Sequence, residues 1–202
     1  RMSGSETEGP LMWNANYGGP GYSFQAYGKS PMMLSMLGGI VGDSAVHKAM
    51  SDYAKAWRFK HLSPWAYTFF MNRAVGKDLD WFWSYWLCPT EAVDGSIANV
   101  NTKSGKTTIT VRQDGQMPSP VVLKIQFAAQ GAAIKGVPNG VMSDSATMVV
   151  TYPVDVWFGG SKTFVATLNV GTRAIEKITL DPRGRFPDRD QTDNIWPRAV
   201  KK

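Results

Sequence analysis

The chain has 202 residues, 43% hydrophobic and 19% charged, a balance that suits one folded domain or two small ones and excludes a disordered chain. Its net charge of +6 is spread along the sequence, and the basic excess of the last stretch (Arg183, Arg185, Arg189, Arg198, Lys201, Lys202) is interleaved with Asp188, Asp190 and Asp193, a solvated tail and not a nucleic-acid site. One cysteine, Cys88, excludes an intrachain disulfide and a Cys-rich zinc site, and no apolar run reaches the roughly 18–20 residues needed to cross a bilayer.

Residues 1–26 hold Gly4, Gly9, Gly18, Gly19 and Gly21 with Pro10 and Pro20, and read as loop. A first helix is predicted over 30–37, with Ser30 as N-cap and Pro31 in the first turn; Gly38 and Gly39 end or interrupt it. A second is predicted over 44–59. Val46, Met50, Tyr53 and Trp57 recur at helical spacing on its buried face, opposite Lys48, Asp52, Lys55 and Arg58. Ser63-Pro64 opens a third helix that runs to Val75 and stops at Gly76. Asp78 caps a fourth, in which Leu79, Phe82, Trp83, Trp86 and Leu87 follow the 3.6 period and Trp81 and Tyr85 add apolar area behind. That helix is expected to be buried between layers, and Cys88, next to Leu87, to be a buried, inert thiol.

The composition changes near Pro89. Six of the 8 Trp precede it, and Thr, Val and Gly take over after it. Strands are predicted over 97–102, 107–112, 121–128, 147–153, 156–158, 163–170 and 175–180, with turns at Asp114-Gly115, Asn139-Gly140 and Gly159-Gly160. Thr107–Val111 and Val122–Phe127 alternate polar and apolar residues, as strands with one wet face do. The fold class is therefore α+β: a helical region over 1–88, then a small antiparallel β-sandwich with a C-terminal tail over 89–202.

Motifs that could carry chemistry mostly fail on spacing. A zinc peptidase helix needs H-E-x-x-H. The two histidines, His47 and His61, stand far apart with no Glu beside either, so no metal ligand is assigned. No G-x-S-x-G elbow accompanies them, which argues against a serine triad. Gly28-Lys29-Ser30 mimics the end of a P-loop, but Ser23 occupies the place of the leading Gly and Pro31 removes an N–H that a phosphate would use. Asp188, Asp190 and Asp193 lack the glycine of a calcium loop, and Arg189 intrudes. Tyr17, Tyr22 and Tyr27 lie in or beside a Gly-rich loop ahead of a helix. On composition they are packing residues with a hydroxyl free to find a partner.

The order of features goes further. Tyr27-Gly28-Lys29-Ser30 leads into Met32–Leu37, then Gly42-Asp43, Tyr53, Trp57–His61, Ser63-Pro64, Leu79–Phe82 and Trp86-Leu87. The ending through Ile178–Pro182, Pro187-Asp188 and Asn194–Trp196 continues the series. This ordered set resembles the aminopeptidase N family of zinc exopeptidases, the gluzincin metallopeptidases that include leukotriene hydrolase. There a Tyr-x-Lys-Gly segment opens a helix and a Tyr…Phe-x-His segment and a Trp-Phe…Trp-Leu helix follow. The resemblance covers about residues 14–196. Ser30 stands where the family usually has Gly.

The resemblance implies that residues 1–88 form the C-terminal half of a thermolysin-like catalytic domain. It places the family's catalytic tyrosine at Tyr27, which would donate a hydrogen bond to the oxyanion formed as the peptide carbonyl is attacked. Tyr22 would line the substrate pocket, and Lys29 carries no assigned chemistry. The family's H-E-x-x-H, its later Glu ligand and its Gly-x-Met-Glu-Asn segment would precede residue 1. The chain is thus expected to be a piece of a longer protein, any signal peptide lying outside it. The implied partners are a peptide substrate and the missing zinc-bearing half, with no nucleic acid and no membrane insertion. Zinc is implied for the parent, none for this chain, which alone should be inactive. Whether the parent is an enzyme depends on the missing segments. The alternatives are a non-catalytic family member and a free-standing helix-plus-sandwich interaction module. Exported bacterial relatives lean the location toward the periplasm or beyond.

Overall fold

A computed structural model describes residues 8–12, 16, 19–88 and 90–198. The chain divides into two units, Arg1–Ala92 and Val93–Lys202. The first holds α1 (Ser30–Val41), α2 (Asp43–Trp57), α3 (Pro64–Val75) and α4 (Asp80–Leu87).

Gly38 and Gly39 do not end α1. Each costs a helix roughly 1 kcal/mol relative to Ala, but they lie on a turn anchored by buried Met33, Met36 and Leu37, and tertiary burial outweighs propensity. The helix stops at Gly42, whose φ of 96° an L side chain rarely adopts. α3 follows its sequence signals. Ser63 Oγ accepts the Ala66 N–H at 3.1 Å, Pro64 sits in the first turn, and Gly76 closes the helix in the left-handed conformation. Asp78 Oδ1 accepts the Asp80 N–H at 2.9 Å and so caps α4 from two residues upstream.

Aromatic rings hold α2, α3 and α4 together. Tyr53 meets Tyr67 and Phe70 edge-on at 5.1 and 5.3 Å, and Tyr67 meets Trp83 at 5.7 Å, geometries that favour the ring quadrupoles. The Tyr67 hydroxyl contacts Met50 Sδ at 3.4 Å, and burial, with the nearby Tyr53 phenol adding, pushes its pKa up to about 12. α4 is not sealed all round. Leu79, Phe82, Trp83 and Trp86 form a single buried stripe, while Trp81 and Tyr85 are half-exposed. Cys88 lies two positions beyond that stripe and is exposed, which corrects the expectation of a buried thiol.

The second unit is built from β1 (Gly95–Lys103), β2 (Lys106–Gln113), β3 (Val121–Phe127), β4 (Gly140–Asp144), β5 (Thr147–Tyr152), β6 (Thr163–Asn169), β7 (Ile175–Leu180) and β8 (Ile195–Trp196). They make two antiparallel sheets, β1-β2-β6 and β4-β5-β3-β7-β8. The period-two pattern sends Ile109, Val111, Ala166 and Leu168 inward from one sheet, and Leu123, Ile125, Val150 and Ile178 from the other. The sheets approach closely at Gly95, where a Cβ would lie 3.2 Å from Leu180 Cδ2.

Three sequence expectations fail here. Val156–Phe158 is not a strand: Val154–Trp157 forms a 3₁₀ turn after Pro153, and the Trp157 indole donates to the Ser119 carbonyl at 2.8 Å. β4 was not predicted, because it is an edge strand whose residues are mostly exposed and show no apolar face. Among the described residues of the last stretch, Ile195–Trp196 is no free tail. It returns as β8 on β7, with Asn194 buried.

Asp188 pins that return. Its carboxylate accepts the N–H groups of Gly95 and Asp190 and the Asn194 amide at 3.0–3.1 Å. Burial, with the charge of Asp94 adding to it, raises its pKa to about 6 against the pull of those hydrogen bonds. Burial raises Asp181 and Asp193 in the same segment as well. The folded state thus holds these protons more tightly than the unfolded chain, and for Asp188 the contribution to stability is full below about pH 4 and is lost as pH rises through about 6. In an NMR titration the Gly95 and Asp190 amides should move with a midpoint near 6. A midpoint near 4 would contradict this environment for Asp188.

Candidate active site

Tyr27 lies in a six-residue π turn, Phe24–Lys29, that runs without a break into α1. Pro31 accounts for the wide turn. It has no N–H, and in a regular α-helix its ring would press on the carbonyl four residues back, that of Tyr27. Widening the turn relieves that clash. The Ser30 N–H instead reaches the Gln25 carbonyl five residues back, and Ser30 Oγ donates to the same oxygen at 3.0 Å. Ser30 is itself helical (φ −63°, ψ −45°), so it is not the N-cap that its sequence position predicts. The helical path starts upstream, and residues 22–26 belong to it rather than to a loop.

Two further contacts fix this turn. Gly28 lies under the Phe24 ring, where a Cβ would come within 2.7 Å of Cδ2. Lys29 is buried and pairs with buried Glu8 at 2.5 Å, the two side chains being 2% and 0% exposed. An ammonium committed to Glu8 is no phosphate ligand, which agrees with rejecting a P-loop. Between buried Gln25 and Lys29, the Tyr27 ring is 78% exposed. Tyr22, five residues earlier, is 43% exposed, and the i→i+5 spacing of a π turn sets the two about one turn apart. Tyr17 lies outside the described residues.

The structure does not add a metal centre to these tyrosines. His47 and His61 are both exposed, and among the described residues no three His, Cys, Asp or Glu side chains could hold a metal ion together. The described residues therefore do not by themselves fit a zinc site. Nor is any helix among the described residues long and apolar enough to cross a membrane. Sequence reasoning missed the Glu8–Lys29 pair. Its only signal was one of two acids, Glu6 and Glu8, in a Gly-rich stretch, and nothing in the spacing joins Glu8 to Lys29.

One unit is helical and the other is built of two antiparallel sheets, which makes the chain α+β. Over 83% of this chain, the structure is similar to aminopeptidase A of Legionella pneumophila in complex with aspartic acid, with a TM-score of 0.55 and 13% identity. The chain covers 18% of that protein, under a fifth of its length, and the likeness is one of fold. No protein-family model matches the chain, and no curated protein matches it.

Proposed function

We propose that this chain is the C-terminal part of a zinc-dependent aminopeptidase of the aminopeptidase N family. In this reading it supplies the oxyanion-stabilising phenol, Tyr27, and a pocket residue, Tyr22, to a site completed by residues outside the chain. Those residues hold the zinc, since the described ones do not fit it. The substrate is a peptide with a free amino terminus.

The observation that carries the reading is the exposed phenol on a fixed turn. A hydrogen-bond donor stabilises a developing oxyanion only if it is held in place before the charge appears. Here Pro31, Gly28 and the Glu8–Lys29 pair hold the backbone on both sides of an open ring. The fold likeness to an aminopeptidase supports the same reading.

The test compares this chain with the longer protein that carries it. The longer protein should bind zinc stoichiometrically and release the first residue from an aminoacyl p-nitroanilide, while the 202-residue chain does neither. A longer protein with neither zinc nor turnover would overturn the proposal, as would hydrolysis by the chain alone.

A further inference from the structure

A groove of about 240 Å³ runs between α3 and α4. Its lining includes Trp65 and Phe69 of α3, and Asp80, Trp83 and Leu87 of α4 with Cys88 beyond. The α4 residues stand at i, i+3, i+7 and i+8, one face of a helix, so the groove follows the helix axis. At 1.5 Å per residue, Asp80 and Cys88 mark ends about 12 Å apart. Neither Tyr22 nor Tyr27 lines it.

Its chemistry is uneven. The middle is aromatic and aliphatic, with Trp65 and Phe69 left 59% and 63% exposed. One end carries the Asp80 carboxylate. Asp80 Oδ1 accepts the Asn72 amide at 2.8 Å, and no Lys or Arg among the described residues pairs with Asp80 Oδ2. A carboxylate without a cation, in a groove lined by indole and phenyl rings, is the arrangement that recognises an organic cation.

We infer that this groove binds a small organic amine, its ammonium on Asp80 and its apolar stem along Trp83 and Leu87 toward Cys88. Trp65 and Phe69 close over the stem. Opposite charge selects the head, and the rings select the apolar body.

Cys88 is the chain's only cysteine and is exposed, so its alkylation by iodoacetamide reports occupancy of the far end. The probes are 4-phenylbutylammonium and its neutral counterpart, 4-phenylbutan-1-ol. The amine should slow alkylation and reach half-protection at about fivefold lower concentration than the alcohol. Asp80→Asn keeps an oxygen for Asn72 and should bring the two ligands level. On the unaltered chain, 1 M salt should erase the amine's advantage and leave the alcohol unaffected, a test that needs no variant. No protection by either ligand would overturn the inference. So would equal protection by both, or an advantage that survives Asp80→Asn or high salt.

Discussion

In the longer protein, Tyr27→Phe is expected to lower kcat by about 10²–10³-fold, the usual loss when one donor to a developing oxyanion is removed. The substitution deletes one oxygen and keeps the ring. With the side chain 78% exposed, it leaves no cavity and no buried orphan, so melting temperature and zinc content should stay as they are. KM should change little, because the hydrogen bond strengthens only as charge builds on the carbonyl oxygen. Tyr22→Phe should cost far less, since a residue that only lines the pocket binds ground and transition states alike. Unaltered turnover in a folded, zinc-loaded Tyr27→Phe protein removes the role assigned to this phenol.

The second large effect falls on stability. Lys29→Met should destabilise the helical unit by about 3–5 kcal/mol, because it removes the buried ammonium that pairs with the buried Glu8 carboxylate. The helical unit contains most of the tryptophans, so urea unfolding followed by tryptophan fluorescence reads it directly. Pairing Lys29→Met with Glu8→Leu should return much of the loss, as replacing both ions of a buried pair is often near neutral. Lys48 gives an internal comparison. It bonds Asp52 at 2.6 Å, but on an exposed helix face, and Lys48→Met should cost far less than Lys29→Met. A Lys29→Met protein as stable as Lys48→Met would mean that the Glu8–Lys29 contact does not hold the turn. Because that turn carries Tyr27, the same variant should also weaken any activity that depends on the phenol.

Much of the architecture is local in origin and was legible for that reason. Ser63-Pro64 and Gly76 bracket α3 because capping and left-handed closure are decided within a few residues. β2 and β3 alternate because each has one buried face. The misses share a cause: distant partners decide them. β4 carries no apolar pattern and exists through its ladder to β5. The Trp157 turn depends on a carbonyl at Ser119. Of the candidate site, Tyr27 was picked out by resemblance to a family, while composition left it among three equivalent tyrosines.

By itself the chain's sequence determined the two-part α+β order, most helix and strand positions, and the lack of H-E-x-x-H, since these rest on near neighbours and residue identity. Only the tertiary structure decided that Pro31 widens the turn before it, that Lys29 is buried on Glu8, and that Tyr27 stands open between buried neighbours. The physical reason is that burial and ion pairing are properties of the space around a side chain, and that space is filled by residues far away along the chain.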